Sequence, residues 1–249
     1  MSGHSKWSTI KRQKGVADAR RGQVFTKIAR EIIVAVRQGG PSLDANYQLR
    51  LAIQKAKDNN MPSENVDRAI KRASGGGDAA SLVEFRLEGY GPNGVAVLVE
   101  ALSDNRNRTV QEVRSRLVRH GGSLGESGCV SWMFDTYGLI AIEADEGNAD
   151  EVALRAIDAG ADDVKTDGVY VEVYTDPPRM EEVRKALEQD FHVVSAEVSL
   201  IPKIPIMLEE SKALQTLHFI DQIEQLDDVQ RVYSNADFPD SALEKMGQA

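Results

Sequence analysis

A run of three glycines, Gly75–Gly77, separates two parts of the chain that differ in hydrophobic periodicity. Before it, apolar residues recur at the three- and four-residue spacing of amphipathic helices. This spacing predicts helices over about 16–38 and 44–59, and a third that starts at Pro62. After the glycines, short apolar runs between glycine-rich turns indicate strands that alternate with helices. The sequence therefore predicts a small helical unit followed by α+β structure.

The second part contains a complete supersecondary motif. Residues 137–202 give, in order, a strand, a helix, two strands, a helix and a strand, which is the βαββαβ order of ferredoxin-like domains. Further elements are predicted on both sides of this motif. They are strands over 82–88 and 94–102, a helix near 109–120 with Thr109 and Glu112 spaced as a capping box, a short strand from Cys129 to Phe134, a helix over 209–226 and a strand over 229–234.

The predicted fold class is α+β, with an N-terminal three-helix domain followed by two ferredoxin-like α+β domains, one inserted in the other. The proposed boundaries are 1–77 for the basic helical domain, 78–134 plus 206–240 for the discontinuous domain, and 135–205 for the inserted domain.

Charge is distributed unevenly along the chain. Residues 1–77 contain 15 Lys and Arg against 6 Asp and Glu, whereas residues 78–249 contain 15 against 33. The net charge of -9 therefore conceals a basic unit joined to an acidic body. A compact basic unit favours contact with a polyanion, because its cations can neutralise phosphates. The other interpretation is a solvated surface of uneven charge.

Candidate nucleic-acid contacts concentrate near the start of the chain, in the basic arm (residues 1–14) and the first predicted helix. In the arm, Trp7 and His4 could stack on a base, although Trp7 could equally anchor the arm on the helices. Two arginines before the helix near 109–120 form a second candidate anion site, where Asp104 could instead pair with them and hold the loop. The predicted contacts are His4, Lys6, Trp7, Lys11, Arg12, Lys14, Arg20, Arg21, Lys27, Arg30, Arg106 and Arg108.

Motifs of catalysis and metal binding do not assemble into a site. The glycines from Gly89 to Gly94 have dinucleotide-fingerprint spacing, but a β-rich stretch follows where that motif requires a helix. Cys129 is the single cysteine and lies in an apolar segment, and the four histidines are scattered. Acidic pairs such as Asp227-Asp228 lack the ligand spacing of a calcium loop and are interpreted as solvated surface. A non-enzymatic protein with no metal, cofactor or small-molecule substrate is predicted.

The sequence also indicates a cytoplasmic protein that does not enter a membrane. No apolar run reaches the roughly 18 residues of a membrane-spanning helix. The first residues lack the apolar stretch of a secretory signal. A single cysteine also excludes a disulfide framework.

Short motifs recur along the chain in an order characteristic of one family. They are Gly3-His-Ser-Lys-Trp, Arg21-Gly-Gln-Val-Phe-Thr-Lys, Leu51-Ala-Ile-Gln-Lys-Ala-Lys, Asn60-Met-Pro, Gly89-Tyr-Gly-Pro, Asp104-Asn-Arg-Asn-Arg-Thr, Gly121-Gly, Gly125-Glu-Ser-Gly and Asn235-Ala-Asp. On these residues the chain resembles the YebC/PmpR family of probable transcriptional regulatory proteins, which includes a mitochondrial translational activator of cytochrome c oxidase. The resemblance implies a helical domain and two α+β domains, together with DNA binding and transcriptional control.

Two functional hypotheses remain from the sequence. In the first, the chain is a cytoplasmic DNA-binding regulator of transcription that holds duplex DNA mainly through phosphate contacts of its basic N-terminal domain. In the second, the same cations contact ribosomal RNA, and the chain is a ribosome-associated translation factor that modulates elongation. Stacking of Trp7 or His4 on unpaired bases would favour RNA, and helices spaced for a major groove would favour DNA.

Overall fold

The computed structural model describes residues 18–75, 82–144, 147–167 and 170–248. Its first range is helical and consists of α1 (Asp18–Gly39), α2 (Tyr47–Asp58) and α3 (Ser63–Ser74). The apolar stripes of the three helices meet in one small core, in which Ile28, Ile32 and Leu49 are fully buried. Burial of each such side chain contributes about 1.5–3 kcal/mol, so this core holds the helical part together.

A buried asparagine fixes the turn between the first two helices. The Asn46 side chain accepts a hydrogen bond from the Leu49 amide at 3.0 Å, which caps α2. Its amide nitrogen donates to the carbonyls of Ala35 and Gly40, both at 2.7 Å. The Asn46 side chain therefore provides hydrogen-bond partners for backbone carbonyls at the end of α1 and for a backbone amide at the start of α2.

The remaining elements alternate between strands and helices. They are β1 (Val83–Tyr90), β2 (Ala96–Ser103), α4 (Arg106–Arg119), β3 (Ser123–Leu124), β4 (Phe134–Glu143), α5 (Ala149–Asp158), β5 (Asp163–Asp167), β6 (Tyr170–Thr175), α6 (Met180–Leu187), β7 (His192–Pro202), β8 (Ile206–Met207), α7 (Glu210–Glu224), β9 (Val229–Ser234), β10 (Ala236–Asp237) and α8 (Asp240–Gln248).

The first sheet joins strands that lie far apart in the sequence. Its order is β3-β1-β2-β9, and β2 pairs antiparallel with β9 so that Val97 lies opposite Ser234. Helices α4 and α7 cover one face, where Val97, Val99 and Phe219 are buried in the same core. The alternate residues of β2 face the other side and pack near Phe134. β2 is therefore buried on both faces.

The second sheet lies entirely between β3 and β8 in the sequence. Its order is β5-β6-β4-β7 with every neighbouring pair antiparallel, which is the strand order of a ferredoxin-like βαββαβ unit. Helices α5 and α6 cover the face that carries Ile140, Ile142 and Val173. The predicted α+β class, with a helical N-terminal part and one βαββαβ unit inserted into another sandwich, is confirmed.

Two local predictions are wrong. Residues 129–133 form a turn and a 3-10 helix (Ser131–Met133) instead of a strand. The buried Glu88 carboxylate accepts the amide hydrogens of Gly128, Val130 and Ser131 at 2.8–2.9 Å, so these donors are not available to a strand ladder.

The other error concerns the start of α4. This helix begins three residues before the predicted capping box, because Asn105 caps it by accepting from the Arg108 amide at 3.1 Å. The Thr109 hydroxyl contacts a distant carboxylate, described below.

The helical part packs against both sheets. Leu51 of α2 lies against the core of the second sheet, and Lys55 pairs with Glu31 near the place where the edge strands β7 and β9 meet. Arg231 of β9 donates to the Val198 carbonyl of β7 at 2.7 Å. None of the helices in the described ranges is long and apolar enough to cross a membrane.

Candidate nucleic-acid interface

The predicted contacts in the basic arm lie outside the described residues. These are His4, Lys6, Trp7, Lys11, Arg12 and Lys14. Arg20 and Arg21 belong to the first turns of α1, but their side chains are also outside the described part. Since α1 begins at Asp18, the arm leads into the N-terminal end of this helix.

Lys27 and Arg30, which the sequence places on the polar side of α1, face the first sandwich. The Lys27 ammonium donates to the Glu224 carbonyl at 2.5 Å, at the end of α7. The Arg30 guanidinium donates to the Asp227 carbonyl at 2.7 Å and to the Asp228 carboxylate at 2.9 Å. Both cations therefore attach α1 to the loop between α7 and β9.

Asp228 is the centre of this attachment. Its side chain is only 4% exposed and accepts hydrogen bonds through both oxygens. Oδ1 binds Arg30, and Oδ2 accepts from Arg108 at 2.7 Å, Thr109 at 2.7 Å and Ser103 at 2.8 Å. Arg108 also pairs with Asp104 at 2.9 Å. The Asp–Arg network considered for this loop is thus present, and it extends to α1.

The surroundings of Asp228 stabilise its charged form. Burial alone would raise the pKa of the carboxyl group. Hydrogen bonds from Arg108, Thr109 and Ser103 outweigh burial and lower the pKa from 3.8 to about 2. The network therefore holds a fully ionised carboxylate at neutral pH.

This low pKa predicts acid sensitivity. Because the folded-state pKa lies below the ordinary value, the stabilisation is complete above about pH 5 and is lost as the pH falls through 2. We expect the free-energy difference between wild type and Asp228→Asn, measured by urea unfolding, to shrink by about 1.5 kcal/mol between about pH 6 and pH 2.5. A difference that stays constant over this range would contradict the assignment.

Arg106 differs from the other predicted cations. Its guanidinium lies 5.5 Å from the centre of the Phe85 ring, a cation–π contact, and the residue is exposed. It has no ion pair with any residue in the described ranges. Its charge thus remains accessible to solvent.

An open groove lies between α1 and α4. Gln23 and Arg30 line it on α1, and one face of α4 from Arg108 to Arg119 lines it on the other side. Residues 225–228 form its floor. Four arginines and four carboxylates line the groove, so its overall charge is balanced.

Other exposed cations lie on the helical part. Arg68, Lys71 and Arg72 of α3 are exposed and form no ion pair with the described part of the chain. Two cations on α2 are used internally. Lys55 pairs with Glu31, and Arg50 donates to the carbonyls of Leu43 and Asp44. Within the helical part, the available positive surface is therefore mainly that of α3.

The sequence interpretation of Asp228 as solvated surface is wrong. Its partners Arg30 and Arg108 lie 198 and 120 residues away, so no local pattern reveals the contact. Among the residues that the structure describes, no group of three or more His, Cys, Asp or Glu is arranged to hold a metal ion.

Two family models match most of the chain. The TACO1/YebC protein N-terminal domain matches residues 5–76, and the TACO1/YebC second and third domain matches residues 82–236. A probable transcriptional regulatory protein of Dehalococcoides mccartyi is 57% identical over 246 residues, 98% of each chain. A protein of the same name from Trichlorobacter lovleyi is 50% identical over 247 residues, 99% of this chain and 100% of the relative.

A solved structure is also similar. The crystal structure of a conserved hypothetical protein from Aquifex aeolicus is 42% identical and has a TM-score of 0.81. The match covers 90% of this chain and 93% of that chain. Both its sequence and its fold are therefore close to those of the present chain.

Proposed function

This chain belongs to the TACO1/YebC family, and we propose that it is a DNA-binding regulator of transcription. In this proposal the basic N-terminal part holds duplex DNA mainly through phosphate contacts. The relatives named probable transcriptional regulatory proteins support a regulatory role. We further propose that the protein acts in the cytoplasm and without catalysis of its own.

The proposal rests mainly on the exposed cations that have no ion pair among the described residues. Arg68, Lys71 and Arg72 are exposed on α3 without an ion pair among the described residues. The arm that precedes α1 adds Lys6, Lys11, Arg12 and Lys14 within nine positions of the sequence. Lysine and arginine at this density neutralise phosphates and release counterions.

The proposal also accounts for cations that do not face solvent. Lys27 and Arg30 hold α1 against the first sandwich, so they position the helical part and are not free to bind phosphate as predicted from their place on the helix. We assign phosphate contact to the arm and α3, and a positioning role to Lys27 and Arg30. Base readout is expected to be weak, because phosphate contacts carry no sequence information.

The arm is tested by reversing two of its charges. We expect Lys11→Glu/Arg12→Glu to bind a 25-bp DNA duplex about tenfold more weakly at about 100 mM KCl. The slope of log affinity against log salt is expected to fall by about two, since two phosphate contacts are lost. Fluorescence anisotropy titrations over a series of salt concentrations measure both quantities.

A matched control variant reverses two positive charges in the acidic body. Lys203 and Lys212 are exposed residues of the acidic body, so Lys203→Glu/Lys212→Glu should leave affinity and slope nearly unchanged. Equal affinity and slope in wild type and the arm variant would remove the arm from the proposal. Tight binding to a ribosomal RNA fragment with no measurable binding to duplex DNA would support the translation-factor hypothesis instead.

A further inference from the structure

The groove between α1 and α4 has a direction that relates it to the arm. Arg30 of α1 and Arg108 of α4 meet at the two oxygens of Asp228, which closes one end. Further along, Lys27 contacts the Glu224 carbonyl and Arg116 donates to Gln222 at 2.9 Å. Residues 228 to 222 run from the closed end of the groove back into the last turn of α7. Along this path, α1 is followed toward its N-terminus and α4 toward its C-terminus.

The open end consequently lies between the start of α1 and the end of α4. Gln23 lines the groove on α1, only five residues after this helix begins at Asp18. Arg119 lines it on α4 and is the last residue of that helix. The described chain thus begins beside the mouth of the groove.

Helix α4 is basic although the part of the chain that contains it is acidic. It holds five arginines and one glutamate in 14 residues, whereas residues 78–249 carry 15 Lys and Arg against 33 Asp and Glu. Arg119 is exposed and makes no ion pair within the described ranges. Gln111 and Ser115 are exposed on the same face and can donate hydrogen bonds to phosphate oxygens.

The closed end of the groove carries more acidic than basic side chains. Asp104, Asp227 and Asp228 lie at the closed end, where Asp228 is already neutralised by two arginines. Along the rest of α4, Arg116 and Arg119 line the groove together with one carboxylate, the exposed Glu112, so this rim keeps a small excess of positive charge that attracts a polyanion. The groove-lining face of α4 runs for about 16 Å from Arg108 at the closed end to Arg119 at the open end.

We infer that the α4 rim, made by Gln111, Ser115 and Arg119, is a second contact for the sugar–phosphate backbone that the arm holds. The inference rests on the proposed function and extends it. A nucleic acid bound at the arm continues across the mouth of the groove and lies along α4. The occupant is duplex DNA, the nucleic acid of the proposed function, and an RNA hairpin serves as the competing probe in the test.

The test compares two arginines of the same helix. Arg119 lines the groove, whereas the exposed Arg114 is not among the lining residues. We expect Arg119→Glu to weaken binding about fivefold at about 100 mM KCl and to lower the salt slope by about one. Arg114→Glu carries the same change of charge on a residue that neighbours Gln111 but does not line the groove, so we expect a clearly smaller loss, about twofold.

A gain of binding excludes an explanation by misfolding. Gln111→Lys adds a cation to the rim and is expected to tighten binding about threefold, with a salt slope larger by about one. Each variant is titrated with a 25-bp DNA duplex and with an RNA hairpin of similar length. The probe that responds to the changes at 111 and 119 identifies the nucleic acid that follows the rim.

The outcomes separate this inference from the proposed function. Equal losses in Arg114→Glu and Arg119→Glu, or no gain in Gln111→Lys, would overturn the rim contact. If the arm variant still loses binding in that case, the proposed function stands without the rim. If the rim variants affect only RNA binding, the contact between the rim and DNA is overturned.

Discussion

Replacing Asp228 by alanine is expected to lower the free energy of unfolding by about 3 kcal/mol. The change removes a carboxylate that is 4% exposed and accepts from two arginines and two hydroxyls. Breaking a buried ion pair costs about 3–5 kcal/mol, because the remaining partners lose their compensation. The lower end applies here, since Arg30 and Arg108 are 23% and 44% exposed and can turn to water.

The adjacent residue provides the control. Asp227 is exposed and contributes only its backbone carbonyl to Arg30, so Asp227→Ala should change the free energy by less than about 0.5 kcal/mol. Urea unfolding of the two variants measures the difference. Similar values for both substitutions would show that Asp228 is not the centre of the attachment between α1 and the first sandwich.

Replacing Phe219 by alanine is expected to have a comparable or larger effect, about 4 kcal/mol. Phe219 is fully buried in the core under the first sheet. Its ring lies against the backbone of Gly91, where an added Cβ would come within 2.8 Å of Cε1. Removing a buried phenylalanine loses its burial energy and leaves a cavity, which costs about 3–5 kcal/mol.

The location of the loss tests the domain boundaries. We propose that residues 78–134 and 206–240 form one folding unit and that residues 135–205 form another. Amide hydrogen exchange of Phe219→Ala should then lose protection in β2 and β9 while β4 and β6 keep theirs. Leu187→Ala, in the core of the second sheet, should give the reverse pattern. Uniform loss in both variants would mean that the two sheets unfold together.

Local periodicity was sufficient for most elements of the fold. The amphipathic stripe of α1 and the alternation in β4 and β6 depend on neighbours in the sequence, and both the fold class and the family resemblance are confirmed. The segment 129–133 fails as a strand because Glu88, about 40 residues away, takes its amide hydrogens.

The candidate site was less predictable because long-range contacts decide which cations are available. Lys27 and Arg30 have the exposed spacing of solvated cations on a helix, yet each binds a group 197 or 198 residues later in the chain. The role of Gly89 also depends on a contact that is distant in the sequence. Its spacing suggests a loop, but it lies in β1, where a Cβ would come within 2.3 Å of the Ser123 carbonyl. Glycine is needed for close pairing of strands rather than for a turn.

The same contacts give the basic part a defined position relative to the rest of the chain. Asp228 and the carbonyl of Glu224 bind α1 at two successive turns, so the N-terminal end of α1 is held on the same side as α4. A nucleic acid held by the arm would therefore meet both the helical part and the first sandwich. The acidic body then limits where else along the protein a phosphate backbone can lie.

The central claim is that this family member contacts DNA through its basic N-terminal part. Ultraviolet crosslinking in growing cells, followed by sequencing of the nucleic acid attached to the purified protein, tests it most directly. We predict enrichment of promoter DNA with wild type and its loss with Lys11→Glu/Arg12→Glu. Enrichment of a functional region of ribosomal RNA, without promoter DNA, would contradict the claim.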